Sequence, residues 1–139
     1  MLRINVPVDE FTTPDPVTAS EEMTVQMLRN LMDAHGIRHL PVLRDGAVVG
    51  LVSDRDVRLA TGLDDFARGE LRAADIMAAD PLSVTAGAPL DEVAFLMSEK
   101  KVGSVIVNDA EGGFVGIFTA TDALNALIEI IRSGGAPAA

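Results

Sequence analysis

The chain has 139 residues, of which 48% are hydrophobic, so it is large enough for one compact domain with a buried core. It contains no cysteine, which excludes disulfides and thiolate metal sites. The formal charge of −10 opposes a nucleic-acid backbone, and without Trp or Tyr there are few side chains on which bases could stack, so nucleic-acid binding is not expected.

The first half of the chain predicts a helix followed by a hairpin. Ser20, with two glutamates after it, is expected to cap the helix, because hydroxyl side chains cap well and the helix dipole favours acidic residues in the first turn. Apolar residues follow at i, i+3 and i+7, and Gly36 is expected to end the helix. Residues 40–43 and 47–52 predict two strands around an Asp-Gly turn at 45–46. The apolar residues of the helix are Val25, Leu28 and Met32.

The second half repeats the same order of elements. Residues 15–18 align with residues 80–83 at an offset of 65, and after one inserted residue Asp56 aligns with Asp122. Strands are predicted at 104–107 and 114–118, around a turn at 111–113. The helix before them carries Leu90, Val93 and Met97 on one face, and a closing helix from about Thr121 carries Leu124, Leu127, Ile128 and Ile131 on one face.

These patterns predict one module over residues 1–139, with copies at 11–60 and 75–131. A linker is expected at 61–74 and a flexible tail at 132–139. A two-stranded ribbon is at best marginally stable in water. The two copies are therefore expected to pack on each other.

Three segments together resemble a CBS motif. They are residues 38–42 (Arg-His-Leu-Pro-Val), residues 50–56 (Gly-Leu-Val-Ser-Asp-Arg-Asp) and, at the matching place in the second copy, residues 116–122. The resemblance covers roughly 11–131 and occurs twice at one period. It implies an α/β (α+β) fold class with two CBS motifs, each helix-strand-strand-helix, packed as a pseudo-two-fold pair (a Bateman module) with two clefts for adenosyl ligands. It also implies a homodimer.

In each copy the last strand ends in a hydroxyl residue with an aspartate three residues later: Ser53 and Asp56, then Thr119 and Asp122. Free N–H groups at a helix N-terminus favour phosphate, and an aspartate accepts hydrogen bonds from ribose hydroxyls. The same spacing also fits a variant capping box that merely starts a helix. Both interpretations stay open at this point.

The two copies differ in positive charge. The first has Arg55 inside the motif, where the second has Thr121. AMP, ADP or ATP is therefore expected at the Asp56 site, whereas the Asp122 site is expected to prefer a less charged adenosyl compound or to stay empty. S-adenosylmethionine is the alternative ligand.

The predicted sites combine the motif residues with others that the resemblance adds from both copies. The first site comprises Arg38, His39, Leu51, Ser53, Arg55, Asp56, Ala78, Leu82, Ser83 and Val102. The second possible site comprises Thr13, Val17, Thr18, Ile37, Ile117, Thr119 and Asp122.

Catalytic and metal sites are not predicted. His35 and His39 are four residues apart, but Gly36 breaks the helix that would align them, and zinc needs three or four ligands. The sequence has no Gly-x-Ser-x-Gly elbow and no Walker phosphate loop. The chain is therefore expected not to be an enzyme and to require no cofactor.

The expected role is that of a nucleotide sensor acting on an unknown effector protein. The alternative is a constitutive dimerisation module whose clefts are vestigial. No apolar run approaches the roughly 18 residues needed to span a bilayer, and the first residues lack the pattern of a secretion signal. A soluble cytoplasmic protein without a membrane partner is therefore expected.

Overall fold

The computed structural model describes residues 5–63 and 69–133, which form a mixed α/β structure and confirm the predicted fold class. The described helices are α1 Val25–His35, α2 Asp54–Ala60, α3 Ala73–Ile76, α4 Leu90–Lys100 and α5 Ala120–Arg132, with a short 3-10 helix at Val8–Glu10. The strands are β1 Thr13–Pro14, β2 Ala19–Ser20, β3 His39–Arg44, β4 Ala47–Ser53, β5 Ala78–Ala79, β6 Ser83–Thr85, β7 Ser104–Asn108 and β8 Phe114–Thr119. Most of the predicted tail and part of the predicted linker lie outside the described residues.

The chain forms two compact units. The first-repeat unit is Pro16–Pro81, and the second-repeat unit joins Met1–Asp15 to Leu82–Ala139. Each unit contains a four-stranded sheet, in the order β2-β3-β4-β5 in the first and β1-β8-β7-β6 in the second. One pair in each sheet is parallel, β2 with β3 and β6 with β7, and the other pairs are antiparallel.

The units differ from the sequence copies because the copies exchange their leading strands. β1 lies at the start of the first copy but pairs with β8 of the second, so that Thr13 lies opposite Ile117. β5 lies at the start of the second copy but pairs with β4 of the first, so that Ala78 lies opposite Leu51. This exchange was not predicted from the sequence, since a two-residue strand leaves almost no periodic signal.

Each unit has its own apolar core. In the first, the residues predicted on one face of α1 are buried against β3, β4 and α2; in the second, Val93 and Met97 of α4 pack with Phe118 and Val8. The Asp-Gly turn is also confirmed, with positive φ at both Asp45 (51°) and Gly46 (81°), as a tight hairpin turn requires.

The predicted cap of α1 is wrong. The N-cap is Thr24, whose hydroxyl accepts a hydrogen bond from the Met27 N–H, while Ser20 lies in β2. Glu21 instead forms a bidentate ion pair with Arg44, at 2.6 and 2.7 Å. The helix starts later because a tertiary strand pairing holds Ser20 in extended conformation, which outweighs its local preference for a cap. As predicted, α1 ends at Gly36, which has φ 61°.

None of the described helices is long and apolar enough to cross a membrane. The longest described helix, α5, buries only Ala126 completely, and its predicted apolar residues at 124, 127, 128 and 131 are exposed.

Candidate functional site

The turn from β4 into α2 forms the centre of the first candidate site. Ser53 ends β4 and caps α2, its hydroxyl accepting a hydrogen bond from the Asp56 N–H at 3.2 Å. In return, Asp56 Oδ2 accepts a hydrogen bond from the Ser53 N–H at 2.9 Å. The capping box that the spacing allowed is therefore present, and it holds both polar side chains in place.

Capping does not use up the polar capacity of this turn. A carboxylate oxygen has two lone pairs, and Oδ2 uses one of them on Ser53, while Oδ1 of Asp56 accepts no hydrogen bond from the described residues. The Ser53 hydroxyl accepts from Asp56 and keeps its own proton to donate. Both side chains are partly exposed, so a ligand can reach them. The turn thus offers one donor and a charged acceptor beyond its structural bonds.

The N–H groups of the first turn of α2 are less available than the sequence analysis expected. The Asp54 N–H donates to the Arg38 carbonyl at 2.8 Å, and the Asp56 N–H is bound by Ser53. A phosphate here would depend on side-chain cations more than on the helix terminus. Arg55 is exposed in the first turn and is the nearest such cation in sequence.

His39 lies beside this turn. It is opposite Ser53 in the β3–β4 pairing and is half-buried. Burial lowers the pKa of His39 below its usual value, and the positive charge of Arg38 lowers it further. The negative charges of Asp54 and Asp56 raise the pKa but do not outweigh the effect of burial. The structure therefore brings together His39, Ser53 and Asp56, three residues of the predicted first site; that they bind a ligand stays a prediction.

Arg38 lines a groove of about 540 Å³ between α1 and α2. The groove does not include Ser53, Arg55 or Asp56, and it contains three arginines and two aspartates. This groove was not predicted from the sequence, since its charged side chains come from separate segments that only the fold brings together. Its lining residues are Arg29, Met32, Asp33, Gly36, Ile37, Arg38, Asp54, Val57, Arg58 and Thr61.

The turn from β8 into α5 has the same arrangement as the turn from β4 into α2, but its carboxylate accepts more hydrogen bonds. Thr119 caps α5, and Asp122 Oδ2 accepts from the Thr119 N–H at 2.9 Å and from its hydroxyl at 3.1 Å. Thr13, carried there by β1, donates to the two carboxylate oxygens of Asp122 at 3.4 and 3.5 Å. Thr13, Ile117, Thr119 and Asp122 are thus close together, and no cation stands at the position of Arg55.

The remaining predicted residues fall into two groups. Leu51 and Ala78 are paired strand neighbours in the same unit as Asp56. The others lie in the unit that does not contain the aspartate of their predicted site, so their contribution stays a prediction. These are Leu82, Ser83 and Val102 for the first site and Val17, Thr18 and Ile37 for the second.

A protein-family model described as "CBS domain" matches the chain twice, at residues 8–61 and 73–129. A CBS domain-containing protein of Dictyostelium discoideum is 29% identical over 139 residues, covering 93% of this chain and 96% of that protein. Inosine-5′-monophosphate dehydrogenase of Korarchaeum cryptofilum is 34% identical over 114 residues, covering 82% of this chain. The match spans only 23% of that enzyme's length.

Two solved structures show the same fold over most of the chain. CBSX2 of Arabidopsis thaliana, in complex with AMP, has a TM-score of 0.79 and 28% identity, covering 91% of this chain and 98% of CBSX2. A CBS domain pair in complex with 5′-methylthioadenosine and S-adenosyl-L-methionine has a TM-score of 0.76, covering 95% of this chain and 99% of the other. The second is 24% identical, so its similarity supports the fold alone.

Proposed function

The chain belongs to the CBS-domain family, and on that basis we propose that it is a regulatory module that binds an adenine nucleotide at the β4–α2 turn. AMP, ADP and ATP are the proposed ligands, and a separate effector protein reads the bound state. The proposal includes a homodimer as the working form. It assigns no catalytic step to the chain.

The observation that carries this proposal is the state of Asp56. Its Oδ2 is held by the Ser53 N–H, while its Oδ1 accepts no hydrogen bond from the described residues. A fixed carboxylate with spare lone pairs is suited to the two hydroxyls of a ribose, because hydrogen bonds to a charged acceptor are the stronger kind. Arg55 and His39 supply donors nearby for the phosphate end. The complex of CBSX2 with AMP supports the same class of ligand.

A second candidate function is a constitutive interaction module that binds no nucleotide. The capping boxes in both repeats favour it, because capping alone accounts for Ser53 with Asp56 and for Thr119 with Asp122. The two functions differ in how stability responds to nucleotide, because capping contributes to stability whether or not a nucleotide is bound.

The test is a thermal-unfolding series with AMP, ADP, ATP and S-adenosylmethionine. A ligand that binds only the folded state at 100 times its Kd stabilises by about 2.7 kcal/mol, which corresponds to a shift in Tm of several degrees. We expect AMP or ATP to raise the Tm of the wild type and of Asp122→Asn, but not of Asp56→Asn. The asparagine retains an oxygen that can accept from the Ser53 N–H, so its loss of response reports on the carboxylate rather than on the cap.

Two results would contradict the proposal. If no adenosyl ligand shifts the wild type, the interaction module replaces the sensor. If S-adenosylmethionine alone shifts it, and the effect is lost in Asp122→Asn rather than in Asp56→Asn, the working site is the second turn and the ligand is not a nucleotide.

A further inference from the structure

His39 gives the first candidate site a side chain that can change its charge near neutral pH. The chain has two histidines and no cysteine. The other histidine, His35, is exposed at the C-terminal end of α1. Arg38 and Arg55 keep their charge throughout this range. Among the described residues around the β4–α2 turn, His39 is therefore the side chain that can exchange a proton there.

The imidazole of His39 is open to a ligand. It makes no hydrogen bond or ion pair with any described residue, and its pKa is shifted by burial and by neighbouring charges alone. The described residues include no buried side-chain nitrogen or oxygen that lacks a hydrogen-bond partner. Since the ring nitrogens have no partner, they must reach the surface although the residue is half-buried. A ligand at the turn can therefore bond to them.

The surroundings of His39 hold it neutral when no ligand is bound. Burial lowers its pKa most strongly, Asp54 and Asp56 of α2 raise it, and Arg38 lowers it. β2 and β4, its neighbours in the sheet, contain no titratable side chain. No charge on α1 is among the groups that shift the pKa. Because the pKa lies below its usual value of 6.5, most His39 side chains are neutral at pH 7.

A nucleotide phosphate reverses this balance. It brings about two negative charges to a turn that already has two carboxylates. The N–H groups of Asp54 and Asp56 are engaged within the chain, so the phosphate depends on side-chain cations. A protonated His39 offsets the added charge, and both of its ring nitrogens can donate. An opposite charge within about 4–6 Å shifts a pKa by about 1–3 units toward the charged form.

We propose that the first candidate site takes up a proton at His39 when it binds a nucleotide, and that its affinity for the phosphate therefore increases as the pH falls through the neutral range. The two ligands are linked, so the proton favours the nucleotide as much as the nucleotide favours the proton. The inference rests on the nucleotide binding of the proposed function and adds acidity as a second input. A fall in pH then acts on the sensor in the same direction as a rise in nucleotide concentration.

The second repeat lacks this titratable group. In the β7–β8 pairing Ser104 lies opposite Thr119, just as His39 lies opposite Ser53 in the β3–β4 pairing. Ser104 is buried, and a serine hydroxyl does not change its charge in this range. The proton linkage therefore belongs to the first repeat alone.

The first test is an NMR titration of the imidazole resonances of the wild-type chain. Two histidines give two sets of resonances, and the variant His35→Gln identifies the set that belongs to His39. We expect the pKa of His39 to lie below 6.5 without ligand and to rise by about one unit or more at saturating AMP. The pKa of His35 is the internal control and is expected not to change. No substitution at the site itself is needed, so a folding defect cannot imitate the result.

The second test measures the Kd for AMP by isothermal titration between about pH 6 and pH 8. The wild type is compared with His39→Gln and, as the matched control, with His35→Gln. The AMP phosphate itself titrates near pH 6, but this contribution cancels in the ratio of two Kd values. We expect the Kd of His39→Gln, divided by that of the wild type, to increase by up to about 10-fold for each unit by which the pH falls. The same ratio for His35→Gln is expected to be constant.

The outcomes distinguish this inference from the proposed function. If AMP binds but the pKa of His39 stays the same or falls, the inference is wrong and the nucleotide sensor stands. The same holds if the Kd ratio of His39→Gln does not depend on pH. If AMP changes no resonance and gives no measurable Kd, the proposed function fails and the inference fails with it.

Discussion

His39 is a half-buried histidine with three charged neighbours, Asp54, Asp56 and Arg38. It lies opposite Ser53, with Asp54 and Asp56 raising its pKa and Arg38 lowering it, and the net shift is downward because burial outweighs the carboxylates. The folded chain therefore excludes a proton that the unfolded chain accepts once the pH falls below about 6.5, the ordinary pKa of the side chain.

This difference predicts how stability depends on pH. The contribution of His39 is complete above about pH 6.5 and is lost progressively as the pH falls below that value, with a slope of at most about 1.4 kcal/mol per pH unit. We expect the free energy of unfolding, measured by urea titration between about pH 5.5 and 7.5, to decline more steeply in the wild type than in His39→Gln. His35→Gln removes the other histidine, at an exposed position, and is expected to keep the wild-type slope. Equal slopes in all three chains would refute this account.

For single residues, the motif spacing predicted where the polar pairs lie but could not distinguish a helix cap from a ligand site. Ser53 with Asp56, and Thr119 with Asp122, lie at strand-to-helix turns as expected, but only the folded structure shows that both pairs are capping boxes. The contact of Thr13 with Asp122 joins residues 109 positions apart, and its geometry follows from strand pairing that local spacing does not encode.

At the level of elements, strands β1 and β5 connect the two repeats. Each consists of two residues and pairs with the last strand of the other repeat, next to a glycine: Gly116 beside β1 and Gly50 beside β5. A Cβ at Gly116 would overlap the Thr13 carbonyl oxygen. A Cβ at Gly50 would instead meet the Met77 side chain, with Cγ at 2.7 Å. The two glycines thus have different reasons to be small.

We expect Gly116→Ala to lower the free energy of unfolding by about 1–3 kcal/mol, because the backbone of β1 must move to make room. Gly50→Ala is expected to cost less, since the Met77 thioether is flexible. In a double-mutant cycle measured by thermal unfolding, Met77→Ala should remove most of the cost of Gly50→Ala. An equal cost at Gly50 with and without Met77 would show that the backbone, not the side chain, limits the space there.

Across the whole molecule the two repeats have diverged in charge and in the state of their aspartates. The first repeat has Arg55 and an Asp56 oxygen with no hydrogen bond from the described residues, whereas the second has Thr121 and an Asp122 that accepts from Thr13 and Thr119. Although its two repeats fold alike, the chain is therefore expected to bind one nucleotide, at the first repeat.

Thr121→Arg tests whether the missing cation limits the second repeat. A hydrogen bond to a charged group contributes about 1.5–3 kcal/mol, or about 10- to 100-fold in affinity. Isothermal titration with AMP is expected to show one site per chain in the wild type and in Thr121→Gln, and a second, weaker site in Thr121→Arg. If Thr121→Arg still binds one nucleotide per chain, the contact of Thr13 with Asp122, and not the missing charge, prevents binding at the second repeat. The double variant Thr121→Arg with Thr13→Ala should then bind a second nucleotide.

Local chemistry in the sequence was sufficient for the repeat, the four hairpin strands and the helices beside them, the apolar residues of α1 and α4, the glycine that ends α1 and the polar turn at Ser53. These features depend on residues a few positions apart, where periodicity and capping act directly. Tertiary structure alone decided the start of α1 at Thr24, the exchange of β1 and β5 and the exposure of the predicted apolar residues of α5. Each of these depends on contacts between distant segments, whose energies outweigh local preference and leave no mark on the spacing of nearby residues.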